Sequence, residues 1–472
     1  MKLRNLEVLS EKEIEEIDSY SRELINEKGI LIPSDKLKNI LRRKGVKFDG
    51  FIAKFTGKVI KNSLESVPKE IKIYNRDLEY SLNIGEGIKF ASGHNAIYIF
   101  NKENKKRIPI KKKEVGNFAL ISDYLNEIDL VGIEAYPQDV YPKSSILHGL
   151  GAVLSNTSKP VYFSPETLDE ALYILKIIKT ISPDFKNYPV GICQVSPHSP
   201  LAWDKNTIEA LALLAENNFP TVVLPAPFSF VSAPITLAGE ILQSNAELLS
   251  SLAITQLINP GAPFIFGNAK SAADIATGEY FIGTPECNLF RIASAQLARY
   301  YHVPSHSIGP DSDSNLLDEQ NGFEKMSSLI SEVASGTNLV INAGMFATGM
   351  TVSYEQLMID SELIRFVKRY IKGINVNEEK LAYNSLKKVA YGKDFLTDSL
   401  TLKYLRSDEH INPLVSNRKN YEIWRQSGSQ DIVQNSGAMV EEILKNHKRP
   451  LLKPEKQKKV EEIILEFEGK FK

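Results

Sequence analysis

Residues 189–224 read PVGICQVSPHSPLAWDKNTIEALALLAENNFPTVVL, a short apolar run, a proline-rich loop, an amphipathic helix from Thr207 to Glu216 and a second apolar run. The two runs, PVGICQV and PTVVL, are almost apolar throughout instead of alternating, which is the pattern of strands buried on both faces. Strands of that kind joined by a helix belong to a parallel sheet, because a parallel pair needs a crossover and a helix supplies it.

Working outward, the same rhythm fills the chain from about residue 118. Strands are expected at 130–136 (LVGIEAY), 160–164 (PVYFS), 189–195, 220–224, 263–267 (PFIFG), 304–308 (PSHSI) and 338–343 (NLVINA). Helical patterns lie between them, such as Thr167 to Ile178 with Pro165 near its start. Seven such units favour a closed (β/α)8 TIM-like barrel, an α/β fold, over a doubly wound open sheet. An eighth strand has no clear counterpart in that window. The expected division is an N-terminal helical and small β lead-in over 1–117, the barrel over 118–375 and a C-terminal helical extension over 376–472.

In the lead-in, Ser10 and Glu13 stand at capping-box spacing with Leu9 and Ile14 as a hydrophobic staple, so a helix is expected from about 11 to 28. Ser34 caps a second helix reaching Arg43, and a small β element is expected around Ile88 to Phe100. In the extension, Asn435 to Lys445 and Lys458 to Phe467 read as amphipathic helices separated by Pro450 and Pro454. They are expected to pack on the outside of the barrel or against another subunit.

The 57 basic and 58 acidic residues of this 472-residue chain leave a net charge of -1, so nothing on the whole-chain scale points to nucleic acid or an anionic membrane. The runs Lys105-Lys106-Arg107 and Lys111-Lys112-Lys113 read as solvated loop or hairpin charge. Cys193 and Cys287 form no metal clip and sit in apolar surroundings, and the opening residues carry acids where a signal peptide needs an apolar run. A cytoplasmic protein is the expectation.

Active sites of such barrels lie just beyond the C-terminal ends of the strands. There the chain is polar, rich in Pro and Gly, and poor in charge: Tyr136-Pro137-Gln138, Gln194 to Pro200, Pro225 to Phe230, Gly267 to Lys270, Gly309 to Asp313 and Asn342 to Phe346. GxSxG, HExxH and GxxxxGK[ST] are absent. His302 and His306 stand four apart, but Pro304 between them breaks the shared helical face a metal pair needs. No metal site is expected. His198, just after a strand, reads either as a site residue or as a histidine bonding a loop carbonyl.

The ordered blocks YPQDVYP (136–142), LSNTSKPVYFS (154–164), SPLAWDKNTIEAL (199–211), APITLAGEILQSNAELL (233–249), QLINPGAPFIFG (256–267), DEQNGFEK (318–325) and GMTVSYEQLMIDSEL (349–363) resemble the trimethylamine methyltransferase-like proteins. The resemblance runs from about residue 7 to 470. It implies a barrel that demethylates a methylated amine and methylates the Co(I) corrinoid of a cognate partner protein, with no tightly bound cofactor of its own. Every letter here is a standard residue, so the resemblance is to the non-pyrrolysine members, which include betaine methyltransferases.

A quaternary ammonium departs as a neutral amine and needs no acid, so the barrel's task reduces to orientation and exclusion of water. Aromatic faces hold such a cation well, each contributing roughly 0.5–2 kcal/mol. The expected cage is Tyr136, Phe228, Phe230, Tyr280 and Phe346. Gln138, Gln194, His198, Asn268, Asp311 and Met345 complete the expected substrate contacts, with Lys270 as a further donor to a betaine carboxylate, and Asn342 and Asp313 are the expected catalytic residues. Asp311 and Asp313 read equally as turn formers or as groups that orient donors or face the cation. A homo-oligomer is expected. The competing readings are a non-catalytic betaine-binding or assembly subunit and a barrel lyase or isomerase of small amines.

Overall fold

In the computed structural model, which describes residues 6–448 and 452–471, the strand signals close into a ring. Among the described residues eight parallel strands form it: β1 (Lys89–Ser92), β2 (Val131–Gly132), β3 (Val161–Phe163), β4 (Gly191–Val195), β5 (Thr221–Val223), β6 (Phe264–Phe266), β7 (His306–Ile308) and β8 (Leu339–Ala343). Parallel ladders run from β2 through to β6 and from β7 through β8 to β1. The bridges Ala91 to Leu130 and Phe266 to Ser305 join the two arcs. All seven strands read from the sequence are present. The eighth is Lys89–Ser92, so the small β element expected in the lead-in belongs to the barrel, which begins well before residue 118.

The pleat explains why these strands read as unbroken apolar runs. Alternate residues face a layer inside the ring, where Ala91, Leu130, Tyr162, Ile192, Val222, Ile265, Leu339 and Ile341 meet. Their neighbours Val131, Phe163, Cys193, Val223, Phe264 and Val340 face the second core between strands and helices.

The hairpin Ile71–Tyr74 and Ser81–Ile84 sends Ile71, Ile73 and Ile84 into the inner layer. The Tyr74 amide donates to the Pro189 carbonyl ahead of β4 at 2.8 Å, which sets the hairpin across the N-terminal mouth of the barrel as a plug. At the opposite end the chain leaving β8 forms Met345–Phe346 against Thr351–Val352, and this pair joins the hairpin Tyr98–Asn101 and Lys106–Pro109 that follows β1. The basic run around Lys106 is thereby an exposed hairpin arm.

Outside the barrel, Ser10 and Glu13 form the capping box of the helix Glu11–Glu27, and Ser34 caps Asp35–Arg43. The C-terminal helix Ile432–Asn446 packs on Tyr354–Lys372 and Lys112–Tyr124, and Pro454–Gly469 on Leu168–Ile181 and Ser145–Leu154. Pro450 lies outside the described residues. Both cysteines are free and buried. Among the described residues no helix is long and apolar enough to cross a membrane.

Candidate active site

The apolar layer inside the barrel gives way, toward the C-terminal mouth, to a cluster of polar side chains contributed strand by strand. Tyr162 on β3 donates its hydroxyl to Gln194 Oε1 on β4 at 2.6 Å and lies 3.2 Å from His306 Nε2 on β7. Its ring stacks on His306 with centroids 5.8 Å apart and meets the His94 ring edge-on at 5.1 Å. His94, just past β1, lies beside Gln194 and Asn342.

Asn342 reaches this cluster through a backbone irregularity. By parity with Ile341 it should face outward, but the β8–β1 register shifts between Val340 and Ala343, and Asn342 adopts φ 101. Such a bulge re-aims a side chain at the rim of a barrel. Asn342 Nδ2 donates to Asp311 Oδ1 at 3.0 Å, and Asp311 is in turn paired at 2.6 Å with Arg291. Arg291 also lies 3.5 Å from the buried Glu332, so its charge is fully claimed inside the wall.

Burial governs the protonation states. Desolvation pushes His94 down to about 4 and, with His94 beside it, His306 down to about 3, so both imidazoles are neutral at ordinary pH. Desolvation pushes Glu134, just past β2, up to about 8. His94 Nδ1, His306 Nδ1, Asn342 Oδ1 and both carboxyl oxygens of Glu134 are buried without a hydrogen-bond partner of normal geometry. Buried polar atoms are paired as a rule, so several orphans in one barrel mouth mark a place for a ligand.

Of the residues expected from sequence, Gln194 and Asn342 belong to this cluster, Asp311 holds Asn342, and Met345 roofs it, its sulfur accepting from the His94 amide at 3.3 Å. Asn268 is buried in the wall, where its Oδ1 accepts from the Ser294 hydroxyl, which also takes Lys270 Nζ at 2.7 Å. Asp313 ties two rim loops together by accepting from the Ile282 and Gly283 amides at 3.0 and 2.8 Å. Phe228 and Tyr280 face each other on the rim with centroids 6.2 Å apart, and the Tyr280 hydroxyl donates to the Thr348 carbonyl. Phe230 sits on its loop with φ 54.

The remaining expected residues lie elsewhere. Phe346 turns away from the barrel to meet Phe100 edge-on at 5.5 Å. Tyr136 packs on the outer core and donates to the Ser164 carbonyl, and Gln138 folds back onto the Tyr136 carbonyl. His198 is exposed, and its amide donates to the Ala202 carbonyl. The five aromatic residues therefore do not form one cage in this arrangement. The residues missed were His94, Glu134, Tyr162, Arg291 and His306. For Glu134 and His306 the signal was present as a lone acid or histidine inside an apolar strand, as in LVGIEAY and PSHSI. Among the described residues no group of three or more His, Cys, Asp or Glu is placed to hold a metal ion.

The model of the trimethylamine methyltransferase family matches residues 1–468. The chain belongs to that family. It is a methyltransferase. A glycine betaine methyltransferase of Desulfitobacterium hafniense is 30% identical over 97% of this chain and 96% of its own length. A trimethylamine methyltransferase of Methanosarcina barkeri is 27% identical over 94% and 91% respectively. Among solved structures, the monomethylamine methyltransferase of Methanosarcina barkeri superposes with a TM-score of 0.51 at 14% identity, covering 96% of this chain and 97% of that one, a likeness of fold.

Proposed function

We propose that this methyltransferase removes one methyl group from a quaternary amine, glycine betaine or a close analogue, and passes it to the corrinoid cobalt of a separate carrier protein. The observation that carries this reading is the set of buried polar atoms in the barrel mouth, His94 Nδ1, His306 Nδ1, Asn342 Oδ1 and the Glu134 carboxyl, that lack a hydrogen-bond partner of normal geometry. A quaternary ammonium offers no N–H and spreads its charge over its methyl groups, so it suits such a lining better than an anion does. The 30% identity to a glycine betaine methyltransferase supports the betaine over other quaternary amines.

Neutral His94 and His306 fit a leaving group that needs no proton. Asn342, held by Asp311 and Arg291, and Gln194, held by Tyr162, fix the geometry of the mouth. The Co(I) of the carrier supplies the nucleophile. Asn268 and Lys270 are donors suited to a betaine carboxylate. A reducing cytoplasm suits both Co(I) and two free thiols. The chain is further read as self-associating through 374–426, where the helices Tyr383–Lys388, Ser399–Tyr404 and Tyr421–Gln426 bury no residue.

Methyl transfer to free cob(I)alamin from a panel of quaternary and tertiary amines tests the reading. Glycine betaine is expected to react once and stop at dimethylglycine, by mass spectrometry after long incubation. A dominant monomethyl product, or faster turnover of trimethylamine than of any betaine, overturns it. No transfer from any amine favours the non-catalytic subunit.

A further inference from the structure

The carboxyl of Glu134 has no role in holding the fold together that its contacts reveal. Leu130 faces the inner layer while Val131, Ile133 and Ala135 face the outer core, so by the pleat Glu134 points into the mouth. It is 1% exposed, and neither oxygen has a hydrogen-bond partner of normal geometry. Ser92 and the Gly93 amide offset part of the upward push of burial on this carboxyl, and that amide already donates to the Ala343 carbonyl at 2.9 Å.

Two glycines make room for the carboxyl. A Cβ on Gly344, whose φ is 97, would stand 2.3 Å from Glu134 Oε1, and a Cβ on Gly93 would stand 3.2 Å from it and collide with Met345. The charged groups around it are spoken for. On the helix Tyr354–Lys372, Asp360 accepts from the Gly344 amide at 2.7 Å and pairs at 2.9 Å with Lys325 of Glu319–Ser335, which also donates to the Pro310 carbonyl. His94, the nearest imidazole on the β1 side, is neutral.

We propose that Glu134 is the counter-charge for the quaternary nitrogen of the substrate, its bare carboxylate matched to a cation that has no hydrogen to give. This rests on the quaternary-amine reading above and names the residue that would select for the positive charge. An ordinary buried carboxylate gathers N–H and O–H donors in good geometry, which would compete with the ligand; here the Ser92 hydroxyl and the Gly93 amide are near, but neither makes a hydrogen bond of normal geometry to it. In the empty mouth the group is held as the acid, since desolvation dominates and Asp360 outweighs Lys325. Arrival of a fixed cation expels that proton to the buffer, so binding converts an acid and a free ammonium into an ion pair and one released proton. An isolated buried anion is costly, and a partner of opposite charge removes that cost.

Titration calorimetry of the full chain with glycine betaine and with tetramethylammonium, in two buffers of different ionisation enthalpy, counts the protons released. The wild type is expected to release close to one proton per cation at pH 6.5–7. Its affinity should rise by roughly tenfold per pH unit until the carboxyl's value of about 8 is reached. Glu134→Gln should bind at least tenfold more weakly, release no proton and lose the pH dependence while keeping its melting temperature within a few degrees. Equal affinity in the variant, or binding without proton release in the wild type, overturns the role of Glu134 and leaves the quaternary-amine reading standing. Failure of the wild type to bind either cation overturns both. If the variant does not fold, the proton count and pH dependence of the wild type decide alone.

Discussion

Asn342 and Glu134 reach the barrel mouth by different routes, one through a bulge and the other through strand parity; Asn342 was named from its place at a strand end, while Glu134 was missed although parity along its strand points it inward. Gln194 was legible for the same reason of parity, standing at the end of an apolar strand with its neighbours Cys193 and Val195 turned outward. Phe346 was misread as a cage residue because closeness to a strand end says nothing about which way a short following strand turns; here it turns onto Phe100. The buried titratable groups also set how stability varies with pH. Glu134 and Glu332, both pushed up to about 8, keep protons that the unfolded chain has lost above about 4.5. His94 and His306, down at about 4 and 3, refuse protons that the unfolded chain takes up below about 6.5. Between roughly pH 4.5 and 6.5 the two effects oppose each other. Above that window the histidines are neutral in both states and of these four groups only the carboxyls differ, so stability is lost as pH rises until, near 8, the buried Lys159 and Lys270, both pushed down to about 8 by desolvation, begin to act in the opposite sense. The slope is at most roughly 1.4 kcal/mol per pH unit for each carboxyl. Urea midpoints of the ligand-free protein are therefore expected to fall from pH 6.5 to 8, with a shallower fall in Glu134→Gln; a midpoint that climbs over that range contradicts these protonation states.

Seven barrel strands could be read because β-branched and aromatic runs buried on two faces leave a strong trace. The eighth, Lys89–Ser92, reads KFAS: it is short, opens on a charge and ends on small residues, and its place in the barrel comes from long-range pairing with β8 and the bridge to Leu130. No local pattern encodes that. The segment 374–426 poses the converse problem, three short helices that were not read from the sequence and that bury no residue of their own. Ile374, Tyr383, Tyr391, Leu396, Leu402 and Leu405 are all exposed, an apolar surface of the kind that marks an interface. Its charges are mixed, with Lys380, Lys387, Lys388, Lys393, Lys403, Arg406, Arg418, Lys419 and Arg425 interspersed with Glu378, Glu379, Asp394, Asp398, Asp408, Glu409 and Glu422. A surface that must face its own copy cannot carry one sign of charge, so a second copy of this chain is the occupant expected here. Sedimentation equilibrium should find a dimer or higher oligomer, and Leu396→Glu with Leu402→Glu should shift it toward monomer without altering the circular dichroism. A monomeric wild type at micromolar concentration would remove this expectation.

At the scale of the whole molecule, the barrel gives a rigid frame to a mouth built from six strand ends, while the hairpin Ile71–Tyr74 and Ser81–Ile84 stops the other end with Ile71, Ile73 and Ile84. That stopper makes the barrel a vessel with one opening, and traffic through it must queue. The amine and the carrier's cobalt are proposed to meet at the same mouth, so a carrier seated first bars the small molecule, and a product formed beneath a seated carrier waits until that carrier leaves. The rate law should then be ordered, amine before carrier. With carrier varied at fixed, sub-saturating betaine, initial rates should climb, pass a maximum and decline, and the decline should vanish when betaine is raised. Rates that simply saturate with carrier at every betaine concentration would mean that the small molecule has a second way in.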